Sequence, residues 1–128
     1  MANVLVVEDD ADSLEVVHRM LERAGHKVVS AANGWEGLLA LDAHHVDVIV
    51  LDLMMPHLDG FTFLNTFARE EPERLRKVIV TSAASPAVIR ERMDRQPFRL
   101  LPKPFDITEL VTTVGDCVAA QQSTPAQA

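Results

Sequence analysis

The stretch "VDVIVLDLMMPHLDG", residues 46–60, decides how this chain is read. Val48, Ile49, Val50 and Leu51 form a run suited to a protein interior, and Asp52 follows it without a break. A buried carboxylate without a partner is costly, because desolvation outweighs anything an apolar neighbour returns. Asp52 is therefore either a helix cap or a group to which the fold brings compensation.

Similar β-branched runs occur at Val4–Val7, Val28–Ala31, Val78–Thr81 and Phe98–Leu101. Between them lie segments of helical period. Leu14, Val17, Leu21 and Ala24 share one face, with Gly25 placed as a C-terminal stop. Trp35, Leu38, Leu39 and Leu41 mark another helix, opened by Asn33 and Glu36 as a capping box, with Trp35 read as packing. Phe61, Leu64, Phe67 and Ala68 mark a third segment. Ser85-Pro86 supplies an N-cap and first helical residue ahead of Val88, Ile89 and Met93. Asp106 and Glu109 open the last helix, whose face is Ile107, Leu110, Val111, Val114, Cys117 and Val118.

This βα alternation with near-continuous apolar strands implies an α/β fold: a doubly wound, five-stranded parallel sheet covered on both faces. At 128 residues, 48 % hydrophobic and 24 % charged, the chain fits one soluble domain with a proper core. The domain is expected over 1–121, with a disordered tail over 122–128. A net charge of −7 argues against a nucleic-acid surface. The start "MANVLVVEDD" does not read as a signal peptide, and no apolar run reaches the roughly 18 residues needed to span a bilayer. With the lone Cys117, these features predict a cytoplasmic protein with no membrane partner.

Ligands of open α/β sheets bind beyond the carboxyl ends of the strands. The first run is followed by Glu8-Asp9-Asp10, the third by Asp52, the fourth ends at Thr81-Ser82, and the fifth leads to Lys103 between two prolines. The second ends blandly in Ser30-Ala31-Ala32, as suits an edge strand. Clustered carboxylates with few nitrogen or sulfur ligands suit a hard cation, Mg²⁺ before Ca²⁺ or Zn²⁺. Lys103 and Ser82 are suited to hold the oxygens of a phosphoryl group, and Asp52 to accept it as an aspartyl phosphate. Each residue alone has a plainer reading. Asp10 or Asp12 caps the first helix, Asp59 a turn or the third helix, and a solitary lysine is usually surface. The five histidines show no zinc-ligand spacing, and His57 is read as a solvated loop residue.

Taken in order, "VLVVEDD", "VIVLDLMMPHLDG", "VIVTSA" and "LLPKPF" resemble the receiver domain of two-component response regulators over residues 3–120. The resemblance implies a flavodoxin-like (βα)5 fold of strand order 2-1-3-4-5. It also implies Asp52 as phosphoacceptor and Mg²⁺ held by Glu8, Asp9, Asp52 and the Met54 backbone carbonyl. Ser82 and Lys103 would contact the phosphoryl group, with a cis Lys103–Pro104 bond. Its implied partners are a sensor histidine kinase or phosphotransfer protein and an unidentified downstream protein, the chain being a monomer or weak homodimer. It would be no enzyme beyond catalysing its own phosphorylation and dephosphorylation.

Three departures stand out. Leu100 occupies the usual Tyr/Phe switch position, with Phe98 expected on the opposite face. "DRQPF" replaces the usual Gly-Ala before the fifth strand, so the helix after Ser85 and its loop are expected to be unusual. No output domain is expected after the last helix. Apolar Met54 and Ala84, at positions where polar side chains orient water, predict slow hydrolysis of the aspartyl phosphate.

Other readings compete. A haloacid-dehalogenase-type phosphatase would need a second aspartate where Met54 stands. A flavodoxin-like nucleotide or flavin carrier would need a Gly/Ser-rich loop where "VVEDDADS" stands. A phosphorylation-independent docking domain and the receiver part of a hybrid kinase remain as alternatives.

Overall fold

The computed structural model describes residues 2–53, 65, 69–83, 85–93 and 96–123. The strands are β1 (Asn3–Val7), β2 (Lys27–Ala31), β3 (Val48–Asp52), β4 (Val78–Ser82) and β5 (Arg99–Pro102). The helices are α1 (Ala11–Arg23), α2 (Gly34–Ala43), α3 (Pro86–Arg92) and α4 (Ile107–Ser123), with a 3-10 turn over Pro72–Lys77. All strand pairs are parallel, in the order β2-β1-β3-β4-β5, which places β3 in the middle. This is the fold expected from the alternation and the strand order implied by the resemblance. The helix expected around Phe61–Ala68 lies, apart from Asn65, outside the described residues.

Pleat alternation sorts the strand residues onto two separate layers. Leu5, Val7, Ile49, Leu51, Val78 and Val80 face one, where Ala40 of α2 and Ile89 of α3 cover them. Val4, Val6, Val48, Val50 and Ile79 face the other, beneath Val17 and Leu21 of α1 and Leu110, Val114 and Cys117 of α4. Every residue of β3 and β4 is buried. At about 1.5–3 kcal/mol per fully buried aliphatic side chain, these two strands carry much of the driving force for folding.

Local signals fix the helix ends. The Asp10 carboxylate accepts from the Ser13 backbone N–H at 3.1 Å and its hydroxyl at 2.6 Å, so Asp10 is the α1 cap. After Arg23, Gly25 takes φ +98°, and Gly25 and His26 donate to the Glu22 and Leu21 carbonyls, a Schellman closure. Asn33 Oδ1 caps α2 through the Glu36 N–H at 2.9 Å. Glu36 returns the bond to Ala32 N–H, one residue before the position a capping box requires.

Two sequence expectations need correction. Trp35 does not pack: it is 62 % exposed, as is Leu39 at 68 %. The fully buried residues of α2 are instead Gly34, Gly37 and Ala40, small residues that let the helix lie close, while Leu38 and Leu41 pack partly buried against the same layer. Val88 is likewise exposed, while Ile89 and Met93 of the same segment are buried. Phe98 and Leu100 do pack on opposite layers. Alternation alone would put residues two apart on one face; Phe98 differs because it precedes β5. The helix after Ser85 is only seven residues long, and Ser85 makes no side-chain cap bond. Among the described residues no helix is long and apolar enough to cross a membrane.

Candidate functional site

Asp52 is the last residue of β3, not a cap beyond it, and is paired in register with Thr81. Its side chain is 6 % exposed. Glu8 follows β1 directly and is held there by its N–H bond to the Ala31 carbonyl at 3.0 Å. Asp9 lies beside it, exposed. One oxygen from each of Glu8, Asp9 and Asp52 lies within 4.8 Å of the others. Ser82, fully buried, ends β4 one strand away, and its carbonyl accepts the Lys103 N–H at 2.8 Å. The Lys103–Pro104 peptide is cis.

Lys103 supplies the compensation that Asp52 requires. Its Nζ lies 2.8 Å from Glu8 Oε1 and 3.4 Å from Asp52 Oδ2. The first is a short charge-assisted hydrogen bond; the second is mostly Coulombic at that length. Burial pulls the Lys103 ammonium toward neutrality, but the bond to Glu8 and the charge of Asp52 outweigh it and raise its pKa. Burial raises Glu8 as well; Asp52 adds to that and Lys103 only partly opposes it. The site thus holds more negative charge than one ammonium can balance.

That excess fits a hard divalent cation. The donor set is three carboxylates, all oxygen, grouped closely enough to share one ion and open on the Asp9 side. The Met54 carbonyl, implied as a further ligand, and Ala84 lie outside the described residues. Sequence reasoning missed one contributor, the Asp10 N–H, which donates to Glu8 Oε2 at 3.2 Å. The residue that caps α1 through its carboxylate therefore also orients Glu8 through its N–H; being a backbone donor, that group left no residue-type signal. Beside Glu8 and Lys103 opens a cleft of about 520 Å³, walled by Val16 and Val17 of α1 and by Phe105 and Ile107.

The model of the family described as "Response regulator receiver domain" matches residues 4–115. The chain belongs to the response regulator receiver family. Relatives of this receiver domain include PilH of Pseudomonas aeruginosa, 29 % identical over 93 % of this chain and 99 % of that protein. The sensor kinase CckA of Brucella abortus is 36 % identical over 94 % of this chain, which spans only 13 % of the kinase's length. Among solved structures, the Francisella response regulator 1452 receiver domain superposes with TM-score 0.83 at 30 % identity, covering 94 % of this chain and 99 % of the other. The Vibrio cholerae chemotaxis protein CheY4 gives 0.80 at 29 % identity, covering 91 % and 98 %. The chain is thus a two-component receiver domain, and receivers of this family work with histidine kinases or phosphotransfer proteins.

Proposed function

We propose that Asp52 accepts a phosphoryl group from a histidine kinase or phosphotransfer protein, with Mg²⁺ held by Glu8, Asp9 and Asp52. The observation carrying this is the convergence of those carboxylates on one ammonium, Lys103, at the end of the central strand. An Asp52 oxygen attacks phosphorus, the bond from phosphorus to the donor nitrogen breaks, and the nitrogen keeps the electron pair. The product is an acyl phosphate on Asp52. Bound Mg²⁺ would supply charge neutralisation for the incoming phosphoryl oxygens. Lys103, anchored to Glu8, stands ready to pair with the phosphoryl group, and Ser82 bounds the site from β4. The donor's imidazole is admitted through the cleft between α1 and the Lys103–Ile107 segment.

Phosphorylation then acts through partner binding or onward transfer, by one receiver unit over residues 1–121, a cytoplasmic monomer or weak homodimer that binds neither nucleic acid nor membrane. Beyond forming and losing its own aspartyl phosphate it has no separate catalytic role. The test is incubation with acetyl phosphate and Mg²⁺ followed by intact mass. One phosphoryl adduct is expected, absent with EDTA and in Asp52→Asn. An unmodified wild-type mass, or an adduct retained in Asp52→Asn, overturns the assignment; the former leaves a phosphorylation-independent docking domain. That second reading draws on Leu100, an aliphatic residue partly buried against the core where the family's aromatic switch is usual.

A further inference from the structure

The opposite end of the sheet carries a smaller and more enclosed cavity of about 120 Å³. Its floor is apolar, from Leu41 and Ile49, and every polar residue in its lining is basic or a histidine: His44, His45, Arg74 and Lys77. The two pairs arrive from different directions. His44 and His45 follow α2, whereas Arg74 and Lys77 belong to the 3-10 turn before β4. Adjacent parallel strands β3 and β4 bring these segments together. Among the described residues, the lining contains no carboxylate, although the chain as a whole has a net charge of −7.

Two acids touch these side chains from outside the lining. Asp47 Oδ1 lies 2.9 Å from His45 Nε2, and its other oxygen accepts the Asn3 N–H at 2.8 Å. Glu71 Oε2 lies 2.5 Å from Arg74 Nε. Both contacts hold their partners in place at the pocket wall. Lys77 and His44 have no ion-pair partner among the described residues. A half-enclosed space with the charged Arg74 and Lys77 on one side, imidazole N–H donors on the other and an apolar floor offers an anion donors from two directions.

From this geometry we infer a second site, a phosphate-binding pocket formed by His44, His45, Arg74 and Lys77 at the amino ends of β3 and β4. Donors arriving from two sides suit a tetrahedral oxyanion better than a planar carboxylate, which one fork would satisfy. The volume admits a phosphate group and excludes a whole nucleotide, so the ligand is inorganic phosphate or the terminal phosphate of a larger molecule left outside. The pocket is independent of the phosphoacceptor reading of Asp52.

The test is a ¹H–¹⁵N titration of the Asp52→Asn chain, first with inorganic phosphate and then with glucose 6-phosphate, at constant ionic strength and without Mg²⁺. Asp52→Asn leaves the pocket intact while removing the acceptor. Saturable shifts are expected at His44, His45, Arg74 and Lys77. Lys77→Gln should weaken binding about tenfold, the loss of one charge-assisted contact. Lys27→Gln, away from the lining, should leave binding unchanged. Tighter binding of glucose 6-phosphate identifies a terminal phosphate as the ligand; tighter binding of inorganic phosphate identifies the free ion. Shifts that never saturate, that persist equally in Lys77→Gln and His44→Gln, or that cluster at Glu8 and Lys103 overturn the pocket. Amide spectra of each free variant that match the parent outside the substituted segment exclude misfolding as the cause.

Discussion

The two ends of the sheet are built from the same five strands and gather different side chains. At the carboxyl ends, Glu8, Asp9 and Asp52 gather around a single ammonium. At the amino ends of β3 and β4, two histidines, an arginine and a lysine surround a small cavity whose described lining has no acid. Between them lie about five residues of wholly buried strand. Polar chemistry is confined to the strand ends because the interior cannot solvate it. The strand's length keeps the carboxylate excess at one end apart from the basic side chains at the other.

The strongest way to break this arrangement is to open the dry partition. Leu51 is fully buried, one residue from the acidic end. Leu51→Ala should cost about 2–5 kcal/mol of stability by denaturant unfolding, the range for a large-to-small core substitution. A change under about 0.5 kcal/mol would mean that the partition repacks freely.

Removing the compensation at the acidic end should have the next largest effect. Lys103→Met leaves Glu8 and Asp52 buried without their cation and should destabilise the Mg²⁺-free chain by about 1–3 kcal/mol, less than for a fully buried pair because Lys103 is 27 % exposed. Thermal unfolding with and without Mg²⁺ sharpens the point: the cation should stabilise the variant more than the wild type. Equal Mg²⁺ stabilisation in both would show that Lys103 and the cation do not share the same carboxylates.

Smaller effects come from the elements that frame the two ends. Asn33→Ala, at the start of α2 on the acidic side, should cost about 1 kcal/mol through the lost cap. Loss of helicity confined to 34–43 in hydrogen exchange would confirm that the cost is local.

At the basic end, His26 accepts the Ala2 N–H through Nδ1 at 3.1 Å, and burial holds its pKa below the ordinary 6.5. The folded chain therefore binds this proton more weakly than the unfolded chain. Its contribution is complete above 6.5 and is lost as pH falls through the lower folded value. Unfolding free energy should decline as pH drops from 7 toward 5, and His26→Asn should flatten that slope. An unchanged slope would exclude His26 as the source.

Most of the architecture was legible because β-branched runs mark all five strands, and helical spacing marks the packed faces of α1 and α4. The six apolar residues singled out in the last helix all pack on one layer, three of them buried and three partly so. The acidic site was legible because its members follow strands directly, and strand ends in a parallel sheet converge. Trp35 was misread because hydropathy counts large residues, whereas the fully buried residues of α2 are two glycines and an alanine, flanked by the partly buried Leu38 and Leu41. The basic pocket left no local trace. His45 and Arg74 are 29 positions apart, and only lateral pairing of β3 with β4 makes them neighbours.

The strand order has a mechanical consequence. Asp52 ends the third of five strands laid side by side, so it stands on the midline of the sheet, with two strands on either hand. At roughly 4.8 Å between neighbours, each margin is about 10 Å away. A displacement begun at Asp52 meets β1, β2 and the flank of α1 in one direction, and β4, β5 and Leu100 in the other. Neither direction has a shorter lever arm. The side that yields is set by which flank is packed more softly.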